Sequence, residues 1–163
     1  MDPGGDAAGA VGAARELSPL GALLSALREE KTRFLVVGMT GAILQGTPGV
    51  TFDTDLWMDL PERQYLRVIN LASRLGATMV RQTVVALRDG RLVNFCYSIQ
   101  GVASFATEYR RALRYVFDEV EVRVLPLERI IRSKEAAGRD KDLAVLPILR
   151  DIAASRKKLR LRR

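Results

Sequence analysis

Apolar and polar positions recur along this chain with two different periods, and the switches between them mark its elements. Leu20, Leu23, Leu24 and Leu27 fall at helical spacing behind Ser18-Pro19, a side-chain N-cap followed by proline at the first helical position. That stripe ends in Arg28-Glu29-Glu30-Lys31. An apolar run from about Arg33 to Val37 predicts a strand, Gly38 a turn, and Thr40 to Gln45 a short helix. Gly46-Thr47-Pro48-Gly49 reads as a loop. Val50 to Leu60 then alternates as a strand: Phe52, Thr54, Leu56 and Met58 point one way, while Thr51, Asp53, Asp55 and Trp57 point the other.

Pro61 opens a helix to about Leu75, with Leu66, Ile69 and Leu75 on its inner face and Gly76 as its stop. Met79 to Leu87 is a β-rich run, Asp89-Gly90 a hairpin turn, and Leu92 to Ile99 the returning strand. A helix is expected from about Ser104 to Arg114, a strand from Glu119 to Leu125, and a helix from Pro126 to Ala137 closed by Gly138. Asp140 is expected to cap a last helical segment, in which Pro147 marks either a kink or a new start. Helices interleaved with strands around a mixed β-sheet argue for a two-layer α/β (α+β) domain. The expected organisation is a flexible leader over residues 1–16, one domain over 17–155 and a basic C-terminal tail over 156–163.

The acidic strand carries the first chemical signal. Its spacing puts Asp53 and Asp55 on one face, with Cα atoms roughly 6–7 Å apart. Two like charges about 5 Å apart repel by roughly 3 kcal/mol at an effective dielectric near 20. Either water screens them at an exposed edge, or a cation sits between them. Carboxylate oxygens suit Mg²⁺ or Mn²⁺.

Composition narrows the chemistry further. A chain of 163 residues, 48% hydrophobic and 28% charged, is one ordinary globular domain. It has no apolar run of the roughly 20 residues a spanning helix needs, and no basic start or apolar core of a signal peptide. Its single cysteine, Cys96, lies in an apolar strand, reads as a buried thiol and fits a reducing, cytoplasmic compartment. The absence of histidine excludes imidazole bases, Ser-His and Cys-His catalysis and the usual zinc sites. Chemistry falls to carboxylates, Lys, Arg and bound metal. Net charge is +7, with six cations among Arg156 to Arg163. Such a tail attracts phosphate backbones or acidic surfaces, or is a solvated helix end favoured by the helix dipole.

Three stretches in order carry a resemblance. They are Gly38-Met39-Thr40-Gly41-Ala42 after the first strand, Gly46-Thr47-Pro48-Gly49-Val50-Thr51-Phe52-Asp53-Thr54-Asp55, and Lys134-Glu135-Ala136-Ala137-Gly138-Arg139-Asp140-Lys141-Asp142-Leu143. From about Phe34 to Leu149 the sequence resembles the nucleotidyltransferase superfamily (DNA polymerase β-like fold), closest to its small stand-alone bacterial members. The resemblance implies transfer of an NMP from an NTP, ATP among the candidates, to an acceptor that is RNA, a protein hydroxyl or a small molecule. It implies Mg²⁺ or Mn²⁺ on Asp53 and Asp55, triphosphate contacts from Gly38, Met39 and Thr40, and phosphate or acceptor contacts from Lys134, Arg139 and Lys141.

Three departures from that pattern stand out. Met39 makes the turn bulkier, with Thr40 as a source of a hydroxyl; Gly49 stands where many relatives carry arginine; and Asn94 occupies the position expected of a third carboxylate. Asparagine coordinates through its carbonyl but brings no charge and takes no proton. The competing expectation is therefore a nucleotide-binding or RNA- or protein-interaction module with weakened catalysis, such as a toxin–antitoxin or defence component. Oligomeric state is not legible in the sequence.

Overall fold

The computed structural model describes residues 16–162, so most of the expected leader, and Arg163 of the expected tail, lie outside the described residues. Ser18 caps the first helix, α1 (Pro19–Glu29), its hydroxyl accepting from the Gly21 amide at 3.0 Å. Strand β1 (Phe34–Val37) runs directly into helix α2 (Gly38–Leu44), and the acidic strand β2 (Asp53–Met58) follows. A single 3₁₀ turn (Glu62–Gln64) leads into α3 (Tyr65–Arg74). Then come β3 (Thr78–Arg81), β4 (Val84–Ala86) and β5 (Leu92–Cys96), then α4 (Phe105–Arg111), β6 (Leu113–Phe117) and β7 (Val120–Val124). Helices α5 (Leu127–Ala137) and α6 (Asp140–Leu161) close the chain.

The strands form one mixed sheet in the order β3-β4-β5-β2-β1-β7-β6. β1 is antiparallel to β2 and parallel to β7, while β2 is parallel to β5; the remaining neighbours are antiparallel. All four residues of β1 are buried, as expected of a central strand covered on both faces.

Alternation divides the core in two. Phe34, Val36, Leu56 and Met58 pack with the leucines of α1 and with Val68, Ile69, Leu71 and Ala72 of α3. Leu35, Val37 and Trp57 pack with Phe105 of α4, Ile130 and Ile131 of α5, and Leu146 and Leu149 of α6. The mixed α/β sheet is as expected, but helices cover both of its faces, giving three layers where the element order suggested two.

Other boundaries also differ. The run expected as one strand over Met79 to Leu87 is a hairpin of β3 and β4. Helix α4 stops at Arg111, because Ala112 turns extended (φ −61°, ψ 147°), and β6 follows. Ile69 is buried as expected, but Leu66 is exposed, and α3 also turns Val68, Leu71 and Ala72 inward. Pro147 lies inside one continuous helix α6, whose N-cap is Arg139 rather than Asp140. Residues 156–161 prolong that helix, and Arg156 is fastened by hydrogen bonds to the Gln45 carbonyl at 2.6 Å and the Tyr115 hydroxyl at 3.1 Å. Among the described residues no helix is long and apolar enough to cross a membrane.

One buried ion pair joins α4 to α5. The Glu108 side chain is fully buried and accepts from Arg129 at 2.6, 3.0 and 3.1 Å and from the Ala103 amide at 3.1 Å. Bonds from Arg129 and Ala103 outweigh burial and hold its carboxyl below the usual carboxylate range. Replacing Glu108 by Ala leaves the Arg129 charge largely buried and unpaired, so it should destabilise the fold by about 3–5 kcal/mol in urea denaturation at pH 7.

Candidate functional site

The acidic strand delivers its two carboxylates to the end of the sheet where β1 becomes α2. In the register, Asp55 lies opposite Val37 on the β1 side and beside Asn94 on the β5 side. Asp53, Asp55 and Asn94 line a cleft of about 430 Å³ with Met39, Lys134, Arg139 and Lys141. A second lobe, about 460 Å³, shares Asp55, Asn94, Lys134 and Arg139 and extends to Gly38, Cys96, Ser98, Gln100 and Ser133. Residues distant in sequence therefore converge around Asp55, which both lobes share.

Gly38 makes this approach possible. Its φ of +64° is left-handed, and a Cβ there would collide with Oδ2 of Asp55. Asp53 is exposed at the strand's start, and Asp55 is half-buried. Burial, the largest influence, raises the Asp55 carboxyl above its ordinary range, and the Asp53 charge adds to this. A hydrogen bond from Asn94 and the charges of Lys134 and Lys141 act in the opposite direction.

Thr40, expected among the triphosphate contacts, lies outside both lobes. It is buried, and its hydroxyl donates to the Asp53 backbone carbonyl at 3.0 Å. Thr51 donates to the same carbonyl at 3.1 Å, so both hydroxyls hold the start of β2 in place.

Two of the basic residues, Lys134 and Arg139, are anchored by one buried carboxylate. Asp142 is 1% exposed and accepts from Arg139 Nε at 2.7 Å, from the second arm of the same guanidinium at 3.2 Å, and from Lys134 Nζ at 3.4 Å. Its Oδ2 also accepts from the Arg139 backbone amide at 3.3 Å, so its side chain reaches back to the N-cap of α6. The Arg139 bond first, then the nearby Lys134 charge, hold the Asp142 carboxyl below its usual range against burial. Lys134 is thus a cation fixed at the wall between the two lobes, while Lys141 lines the first lobe alone. The three-residue spacing of Arg139 and Asp142 was the available signal; the tie to Lys134, on the preceding helix, was not visible.

Cys96, half-buried on β5, lines the second lobe as a thiol held in its protonated form. Burial, then the Asp55 charge, push its thiol up to about 12, and its Sγ lies 3.5 Å from the Asn94 amide nitrogen. Among the described residues no three His, Cys, Asp or Glu side chains gather as a metal site. The hard-oxygen donors in the cleft are Asp53, Asp55 and the Asn94 carbonyl. A divalent cation suits that set, because it would relieve the repulsion and the burial that both act against the Asp55 charge.

No protein-family model matches the sequence, and no curated protein matches it. Solved structures do resemble the fold. The lincomycin-bound crystal structure of the lincosamide antibiotic adenylyltransferase LnuA superposes with a TM-score of 0.56 at 12% identity, over 82% of this chain and 96% of that one. The solution structure of the antibiotic-resistance factor ANT(2'')-Ia gives 0.57 at 15% identity, over 88% and 90%. Its crystal structure with adenylyl-2''-tobramycin gives 0.53 at 14% identity, over 88% and 95%. The chain therefore shares its fold with these antibiotic-modifying proteins.

The anchoring role of Asp142 has a pH signature. Its folded pKa is depressed, so its contribution to stability is complete above the unfolded value near 3.9 and is lost as pH falls through the folded pKa. Asp142→Asn should cost about 1–3 kcal/mol at pH 7. Urea denaturation should show the gap from wild type closing as pH drops below about 4.

Proposed function

We propose that this chain is a divalent-metal-dependent nucleotidyltransferase that moves an NMP from an NTP to a hydroxyl of a small-molecule acceptor. One observation carries the reading. Asp53 and Asp55 enter a two-lobed cleft beside a left-handed glycine turn, and a fixed lysine faces them from the wall between the lobes. Two lobes meeting at Asp55 suit two substrates that must react at one phosphorus. The solved structures of like fold support the acceptor class, since LnuA is lincomycin-bound and ANT(2'')-Ia holds an adenylylated tobramycin.

In this reading the acceptor oxygen attacks the α-phosphorus, the bond to the bridging oxygen breaks, and pyrophosphate leaves. Lys134, immobilised by Asp142, presents a positive charge where negative charge builds on the phosphoryl oxygens. Lys141 and Arg139 extend that field. Gly38 lets the turn lie directly against Asp55, where any side chain would strike the carboxylate. Asp53, Asp55 and the Asn94 carbonyl would hold Mg²⁺ or Mn²⁺, which supplies charge neutralisation at the reacting oxygens. Of the carboxylates in the cleft, Asp142 is committed to its cations, which leaves Asp53 and Asp55 as the groups able to accept the acceptor's proton.

Asn94 favours a second reading: a domain that binds nucleotide with little turnover. It sits in register beside Asp55, where a third carboxylate would complete the donor set. The two readings agree on the nucleotide and differ on chemistry.

Thermal denaturation with Mg²⁺ and each NTP tests the shared part. Ligand at about 100 times its dissociation constant adds roughly 2.7 kcal/mol, on the order of 5 °C or more for a domain of this size. The shift should require metal and vanish in Asp53→Asn/Asp55→Asn; its absence with every NTP overturns both readings. Transfer of α-labelled NMP then separates them. On the transferase reading wild type turns over, and Asp53→Asn lowers the rate at least a hundredfold. On the binding reading wild type is silent, and Asn94→Asp gains activity.

A further inference from the structure

A second cleft, of about 340 Å³, lies at the other end of β1, around Arg33 and Phe34, and shares no lining residue with the carboxylate cleft. Its wall brings together Arg28, Lys31, Arg33, Arg114 and Arg123 against one carboxylate, Glu121. Elsewhere, surface arginines meet acids: Arg74 with Glu30, Arg91 with Asp118 and Arg150 with Glu135. Here Lys31, Arg114 and Arg123 have no carboxylate partner among the described residues.

The strand register sharpens the point. Arg114 and Arg123 are direct cross-strand partners on β6 and β7. Like charges in that relation destabilise a sheet. Two of the guanidinia are also held in place. Arg123 lies 4.6 Å and Arg33 5.1 Å from the centre of the Tyr109 ring, and Arg33 is further fixed by Asp59 at 2.6 Å. Tyr109 is itself stacked on Phe105, with ring centres 5.4 Å apart. The aromatic surface is thus taken up by the arginines and by Phe105, and is not offered to a base.

We propose that this cleft is a second anion site, which binds a chain of phosphate groups through preorganised guanidinia without reading bases. Guanidinium forks match phosphate oxygens bidentately. Five cations, offset by Glu121 and by the Asp59 partner of Arg33, still leave a net positive charge greater than a single phosphate neutralises. The shared chemistry is a run of phosphates, supplied either by a free polyphosphate or by the backbone of a single-stranded nucleic acid. An anion here removes the repulsion between Arg114 and Arg123, so binding and stability are linked.

The test is a titration of the full chain, without divalent metal, so that Asp53 and Asp55 repel phosphate from the other cleft. The probes are inorganic tripolyphosphate and a short labelled oligouridylate, with hexaglutamate as the non-phosphate polyanion. At least one phosphate probe should bind and raise the melting temperature. Arg114→Gln should weaken that binding about tenfold and lower its salt slope by about one. Without ligand, Arg114→Gln should melt at or above the wild-type temperature, because the like-charge pair is gone. Tripolyphosphate alone binding identifies a free polyphosphate; oligouridylate binding identifies a strand. The proposal is overturned if neither binds, if Arg114→Gln and Arg123→Gln both bind as wild type does, if hexaglutamate binds as tightly, or if Arg114→Gln melts lower. Since the two clefts share no residue, failure here leaves the nucleotide reading standing, and the converse also holds.

Discussion

The arrangement depends on keeping the Asp55 carboxylate charged at the end of a central strand, where burial works against its charge. Four features of the fold answer that constraint. Gly38 omits the side chain that would otherwise occupy the carboxylate's space. Asn94, its neighbour on β5, donates a hydrogen bond. Lys134 and Lys141 supply opposite charge from α5 and from the first turn of α6. Asp142, itself buried, holds Lys134 in place and closes the start of α6 at the same time. Positioning the acidic pair therefore reaches from the β1–α2 turn to the last helix, which explains why the motif-bearing stretches are spread along the whole chain.

Much of this was legible in the sequence, for identifiable reasons. The period-2 alternation of β2 correctly sent Leu56 and Met58 to one cluster and Trp57 to the other. Ser18-Pro19 and Gly138 marked helix ends through local backbone chemistry that no tertiary contact overrode. What was missed lacked a local signal. The β3–β4 hairpin turns at Gln82-Thr83, without glycine, proline or asparagine. Strand β6 begins two residues after α4 ends, and Ala112-Leu113-Arg114 reads as well for a helix as for a strand. Leu66 fits the stripe of a helix starting at Pro61, but the 3₁₀ turn delays α3 to Tyr65 and leaves Leu66 exposed in its first turn, while Ile69 stays buried. Pro147 deletes one backbone hydrogen bond, yet Leu146 and Leu149 on either side are buried in the core, so packing carries α6 through it. The third layer had a signal that alternation hides: the unbroken Phe34-Leu35-Val36-Val37 run of a strand buried on both faces.

The two clefts manage charge in opposite ways. In the first, Lys134 and Arg139 are tied to Asp142, so a net positive wall is built from paired groups whose positions are fixed before any ligand arrives. In the second, the cations are set against one another across β6 and β7 and against a tyrosine ring. The first arrangement is stable alone and suits a site where position governs chemistry. The second is least stable when empty, which suits a site whose role is to hold an anion.

Asn94 bears on the same question of stability without ligand. A carboxylate in its place would stand in register beside Asp55, two residues' spacing from Asp53 being already occupied by a like charge. Three carboxylates so close together favour a bound cation, and without one each raises the others' pKa. The amide removes that demand, and its hydrogen bond favours the charged form of Asp55. The same substitution removes a proton acceptor. The local chemistry of position 94 therefore favours a cleft whose side chains are assembled without a bound cation.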